Sequence, residues 1–77
     1  MKLLDLKIGQ TARIIGYENG ANPQYRQKLL AMGLTPNTLV VLERIAPMGD
    51  PIQLRVRGYD LSLRKHEAFI LDVELCS

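Results

Sequence analysis

Apolar and polar residues alternate, one by one, over much of this chain. The clearest run is Ile52 to Arg57, IQLRVR, in which Ile52, Leu54 and Val56 fall on one face and Gln53, Arg55 and Arg57 on the other. Such alternation predicts a strand with one side on the core. Gln10 to Tyr17, QTARIIGY, places Ala12, Ile14 and Gly16 together, and a glycine inside a strand points to a bulge or a close backbone approach. Thr38 to Ala46, TLVVLERIA, is apolar on both faces at its start, as a central strand would be. Gly58-Tyr59-Asp60 reads as a hairpin connection, after which Leu61 to Arg64 resume the alternation. Lys65-His66-Glu67 breaks it for one turn. Ala68 to Leu75 then closes the chain, with Phe69, Leu71, Val73 and Leu75 on one face and Asp72 and Glu74 on the other. Before all of these, Met1 to Gly9 reads as an opening turn whose leucines, Leu3 and Leu6, lie on the core.

One stretch has a different period. In Asn22 to Leu34, NPQYRQKLLAMGL, residues Tyr25, Leu29 and Met32 share a stripe at i, i+4 and i+7, which predicts a helix with that stripe buried. Asn22 suits the N-cap and Pro23 the first helical position. Gly33 ends the helix in the left-handed conformation, and Pro36 prevents its continuation. About five strands with short connections and one helix make a mainly β protein, a small closed or half-closed barrel with an inserted helix. Its expected core joins Leu29, Met32, Leu54, Val56, Leu63 and Leu71.

Composition narrows the function classes. Seventy-seven residues make one small domain over positions 1–77, and a 47% hydrophobic share makes it a folded one. A signal peptide and a membrane-spanning run are not expected, and the single Cys76 fits a reducing, cytoplasmic setting. The formal charge is +2, short of what nucleic acid would demand.

The order and spacing of several segments resemble the ferrous iron transport protein A (FeoA) family. They are Leu3-x-x-Leu6-x-x-Gly9, YRQKLLAMGLTP from Tyr25, APMGDP from Ala46 to Pro51, and RVRGYDLSLRKHEA from Arg55 to Ala68. Ile8 stands where the family often has proline. The resemblance implies an SH3-like barrel with an inserted helical segment. It also implies an accessory role beside the membrane-embedded ferrous iron permease that carries a GTPase part.

Candidate chemistry is sparse. With one histidine and neither a Ser/His nor a Cys/His arrangement, catalysis is not expected. His66, Glu67 and Cys76, with Asp5, Glu43, Asp50 and Asp60, are the available metal ligands. They are not spaced as a cage and read as solvent-facing groups, so neither a metal site nor a cofactor is expected. A proline-peptide groove would need an aromatic floor, for which only Tyr17, Tyr25, Tyr59 and Phe69 are present. Arg55, Arg57 and Arg64, with Arg13 and Arg44 nearby, offer an alternative function as a nucleic-acid-binding stripe. The carboxylates Asp60, Glu67, Asp72 and Glu74 close in sequence weigh against it. The leading expectation is protein–protein interaction through the helix. Leu30 lies off the buried stripe beside Arg26, amid Gln27, Lys28 and Ala31, with Met48 in the Ala46–Pro51 connection as a further contact. The protein is expected to be a monomer or a weak homo-oligomer that neither binds nucleic acid nor inserts into a membrane.

Overall fold

The computed structural model describes residues 1–76. Its elements run β1 (Thr11–Tyr17), α1 (Pro23–Ala31), β2 (Leu39–Ile45), β3 (Ile52–Val56), β4 (Tyr59–Leu63), α2 (Lys65–Ala68) and β5 (Leu71–Leu75), after a short 3₁₀ turn at Leu3–Asp5. The strands form one antiparallel sheet in the order β4-β3-β2-β1-β5. β2 is central, as its two apolar faces predict. The expected irregularity at Gly16 is present: the β1–β5 register shifts between Ile14 and Gly16. That bend, and a second between Leu42 and Arg44 where β2 meets β3, curl the sheet around its own core.

The core is one cluster. Leu3, Ile14, Leu29, Leu34, Val40, Leu42, Ile52, Leu54, Val56, Leu63, Leu71 and Val73 are all fully buried. Five of the six residues expected there are among them, and Met32 packs against the cluster while half-buried.

Three expectations are corrected. The β3–β4 hairpin turns one residue earlier than read, at Arg57 and Gly58, both with positive φ (51° and 85°), so Tyr59 and Asp60 are already in the strand. This is the two-residue turn whose twist matches the strands. The break at Lys65 is one turn of α-helix, but it reaches past Glu67, because α2 runs on to Ala68 and Phe69 caps it. The last strand therefore starts only at Leu71. Phe69 is 57% exposed with the Lys2 ammonium 5.0 Å from its ring centre, and Ile70 takes the buried place instead. Finally, Leu75 is exposed rather than on the core face.

Candidate functional site: the outer face of helix α1

α1 starts where the sequence favours a start. Asn22 Oδ1 accepts the Gln24 N–H at 2.9 Å, and Pro23 holds the first position. It ends at Gly33, whose φ is +88°. Yet only one of its nine residues, Leu29, is buried. Tyr25, expected inside, is 40% exposed. Its ring meets His66 of α2 edge-on, with centroids 5.4 Å apart. A phenol gains from such a contact while its hydroxyl stays in water, so the buried stripe is narrower than its spacing suggested.

Polar contacts from distant segments hold the helix in place. The Tyr59 hydroxyl donates to the Met32 carbonyl at 2.8 Å, and the Tyr17 hydroxyl donates to the Leu34 carbonyl at 2.6 Å. Both satisfy carbonyls in the turn that follows the helix. Burial raises the Tyr17 phenol above its ordinary pKa, against the opposing pull of Arg26, whose guanidinium lies 5.5 Å from the ring centre. Halfway along, Lys28 Nζ reaches Glu67 Oε2 at 2.5 Å, while Glu67 Oε1 accepts the Arg64 N–H at 2.9 Å.

Glu67 is a correction. Read as a solvent-facing group, it is 3% exposed. Burial alone would push its carboxyl up, but the Lys28 ammonium and the Arg64 amide outweigh that and hold it below the ordinary value of 4.5. It caps α2 and ties α1 to it. The Arg64-x-x-Glu67 spacing of a capping turn was the available signal, weakened by the absence of Ser or Thr at its head.

The interaction residues expected from sequence are all exposed: Arg26, Gln27, Lys28, Leu30 and Ala31 on α1, and Met48 at the tip of the β2–β3 connection. Leu30 is 40% and Met48 92% exposed. Lys28 is committed to Glu67. A depression of about 290 Å³ separates α1 from the Met48 loop, lined by Lys28 on one side and Pro51 on the other, with Ser62, Leu63, Arg64 and Glu67 between them.

The basic stripe is not assembled. Arg55 pairs with Glu43 at 2.6 Å and with Asp60 at 3.4 Å, Arg57 donates to Thr38, and Arg64 lies past the far end of β4. Hydrogen bonding to Glu43 and the charge of Asp60 raise the pKa of the Arg55 guanidinium. Phosphate would have to displace both carboxylates. Among the described residues, no three His, Cys, Asp or Glu side chains are placed to hold a metal ion. No helix among them is long and apolar enough to cross a membrane.

The FeoA domain matches residues 1–75. The chain belongs to the FeoA family. It is 32% identical over 77 residues to an Fe(2+) transport protein A/Fe(2+) transporter FeoB fusion protein of Porphyromonas gingivalis, spanning all of this chain but only 9% of that one. Among solved structures, a FeoA-like protein from Clostridium acetobutylicum superimposes with a TM-score of 0.86 at 41% identity, covering 97% of this chain and 85% of the other. The FeoA protein of Chlorobium tepidum gives 0.88 at 34%, covering 100% and 71%. The five-stranded sheet with its inserted helix is thus the small SH3-like barrel of this family, and the family links the chain to ferrous iron transport.

Proposed function

We propose that this chain is a non-enzymatic, cytoplasmic accessory protein of ferrous iron uptake, docking the outer face of α1 on the cytosolic, GTPase-bearing part of a ferrous iron permease. The carrying observation is the state of α1. Eight of its nine residues are exposed, including the apolar Leu30, while tyrosine hydroxyls and Glu67 fix its position from behind. A rigid helix face with an apolar centre and a polar rim needs little reordering on association. The relative in which an A-type and a B-type transport protein share one chain supports the choice of partner. Arg26 at the rim, which pairs with no carboxylate among the described residues, steers approach to an acidic surface, acting on association rate more than on affinity.

The test is a titration of this protein against the permease's cytosolic part, with and without guanine nucleotide. Parent protein is expected to bind, and Leu30→Asp to lose roughly ten- to a hundredfold in affinity, since a buried leucine is worth about 1.5–3 kcal/mol. Equal binding by parent and variant would move the interface away from α1.

A further inference from the structure

The fold does not treat its cations alike. Lys2, Arg13, Lys28 and Arg55 all form ion pairs with carboxylates. Lys7, Arg26, Arg44, Arg57, Arg64 and Lys65 are exposed and pair with no carboxylate among the described residues, and Arg44, Arg64 and Lys65 among them share one end of the barrel. These three gather around one loop. Arg44, near the end of β2, lines a depression of about 460 Å³ together with Ala46, Pro47 and Pro51. Arg64 lines the depression on the other side of Pro51. The Lys65 N–H donates to Asp50 Oδ1 at 3.1 Å, fastening the start of α2 to the loop. At the apex stands Met48, 92% exposed, behind an exposed Pro47. Of the negative charges nearby, Glu67 is paired with Lys28 and Glu43 with Arg55, which leaves Asp50, held by that amide, as the one carboxylate set against the three cations.

We infer that this end of the barrel is a contact face for an anionic lipid surface, with Met48 at headgroup depth and Arg44, Arg64 and Lys65 against the phosphates. The shape favours a bilayer over a folded acidic partner. Met48 is a convex tip, and the concave surfaces lie beside it on this chain. A protein would need a pocket cut to receive that tip, whereas a fluid headgroup layer needs none. The cations flank the loop on long flexible stems, Arg44 resting on Gln53 Oε1 at 3.4 Å, and such stems suit a planar array of phosphates. Each Lys or Arg near an anionic leaflet contributes roughly a fivefold gain in partitioning, and a buried apolar side chain adds to it. This contact adjoins the α1 face across the depression that Lys28 and Arg64 both line, and would bring the protein to the membrane surface.

The experiment is flotation of the full chain with phosphatidylcholine vesicles, with and without phosphatidylglycerol, at low and moderate salt. Association is expected only with the anionic vesicles, weakening as salt shortens the range of the attraction. Arg64→Gln with Lys65→Gln should weaken it by on the order of tenfold or more. Met48→Ser, which leaves the charge unchanged, should weaken it a fewfold. Arg57→Gln, at the opposite end of the hairpin, should change it less than twofold. Melting curves check that each variant is folded, and Arg44→Gln repeats the comparison on a strand away from α2. The inference fails if anionic vesicles do not float the protein at low salt, or if Arg57→Gln costs as much as the loop-side cations. It fails equally if an acidic polypeptide captures the protein while vesicles do not.

Discussion

β3 and α1 are attached to the same core by opposite means. β3 is five residues long, and three of them, Ile52, Leu54 and Val56, are fully buried. It is paired along both edges, with β2 and β4. α1 is nine residues long and buries Leu29 alone, relying on hydroxyls and a carboxylate borrowed from β1, β4 and α2. A strand in the sheet is positioned by periodic burial, a local property. A helix at its rim is positioned by a few polar contacts supplied from far along the chain. The second arrangement leaves a face free, which is why the candidate docking surface is on α1 and not on β3.

Removing apolar volume from β3 should therefore be the most damaging change. Leu54→Ala is expected to destabilise the domain by about 2–5 kcal/mol, through lost transfer energy and the cavity left behind. In a domain of this size that is a large fraction of total stability. A thermal melt unchanged by the substitution would mean that β3 is not the interior strand described.

Next comes the polar attachment of α1. Glu67→Gln keeps the shape of the cap but removes the charge that Lys28 meets, and about 1–2 kcal/mol should be lost. The exposed Lys28 side chain, at 57%, limits what the ion pair itself contributes. Acid should reproduce the effect. Because the folded carboxyl titrates below its ordinary 4.5, its stabilisation is fully present above that pH and is lost as pH falls through the depressed value. Denaturant midpoints of parent and variant should differ at neutral pH and converge in acid. A constant difference at all pH values would remove the charge from the explanation.

This contrast also explains what was legible beforehand. β3, the central place of β2 and the bulge at Gly16 follow from alternation and from one glycine, because each depends on neighbours within a few residues. Tyr25 and Glu67 were misplaced because their environments are made by each other's elements. Tyr25 stays outside by meeting His66, and Glu67 goes inside by meeting Lys28. Phe69 fitted the alternation of β5 but belongs to the turn that ends α2. A period of two shows that the alternation breaks at Lys65 but not how far the four-residue helix and its cap carry the break. Of the expected docking residues, sequence placed Leu30 and Met48 on the surface correctly, while the depression between α1 and the Met48 loop depends on folding.

A comparable effect is expected where α1 ends. Gly33 has a φ of +88°, and a Cβ there would stand 2.9 Å from the Tyr59 hydroxyl. Gly33→Ala should cost about 1–2 kcal/mol, combining left-handed strain with that contact. Tyr59→Phe removes the hydroxyl and the hydrogen bond to Met32 together. The double variant should be more stable than the sum of the two single losses implies. Strict additivity would show that the two residues do not meet.

The smallest expected change in stability is also the one with the largest functional meaning. Leu30 is 40% exposed and outside the core cluster, so Leu30→Asp should shift the folding free energy by only about 0.5 kcal/mol. A new carboxylate in the last turn of the helix opposes its dipole, at a cost of roughly 0.3–1 kcal/mol that nearby Lys28 offsets in part. The same substitution puts a charge at the centre of the proposed interface, where desolvating it is costly. A variant that melts like the parent but no longer binds the permease or supports iron uptake would separate holding the helix from using it. Should Leu30→Asp instead unfold the domain, α1 would be anchored on two sides like β3, and the contrast between the two elements would disappear.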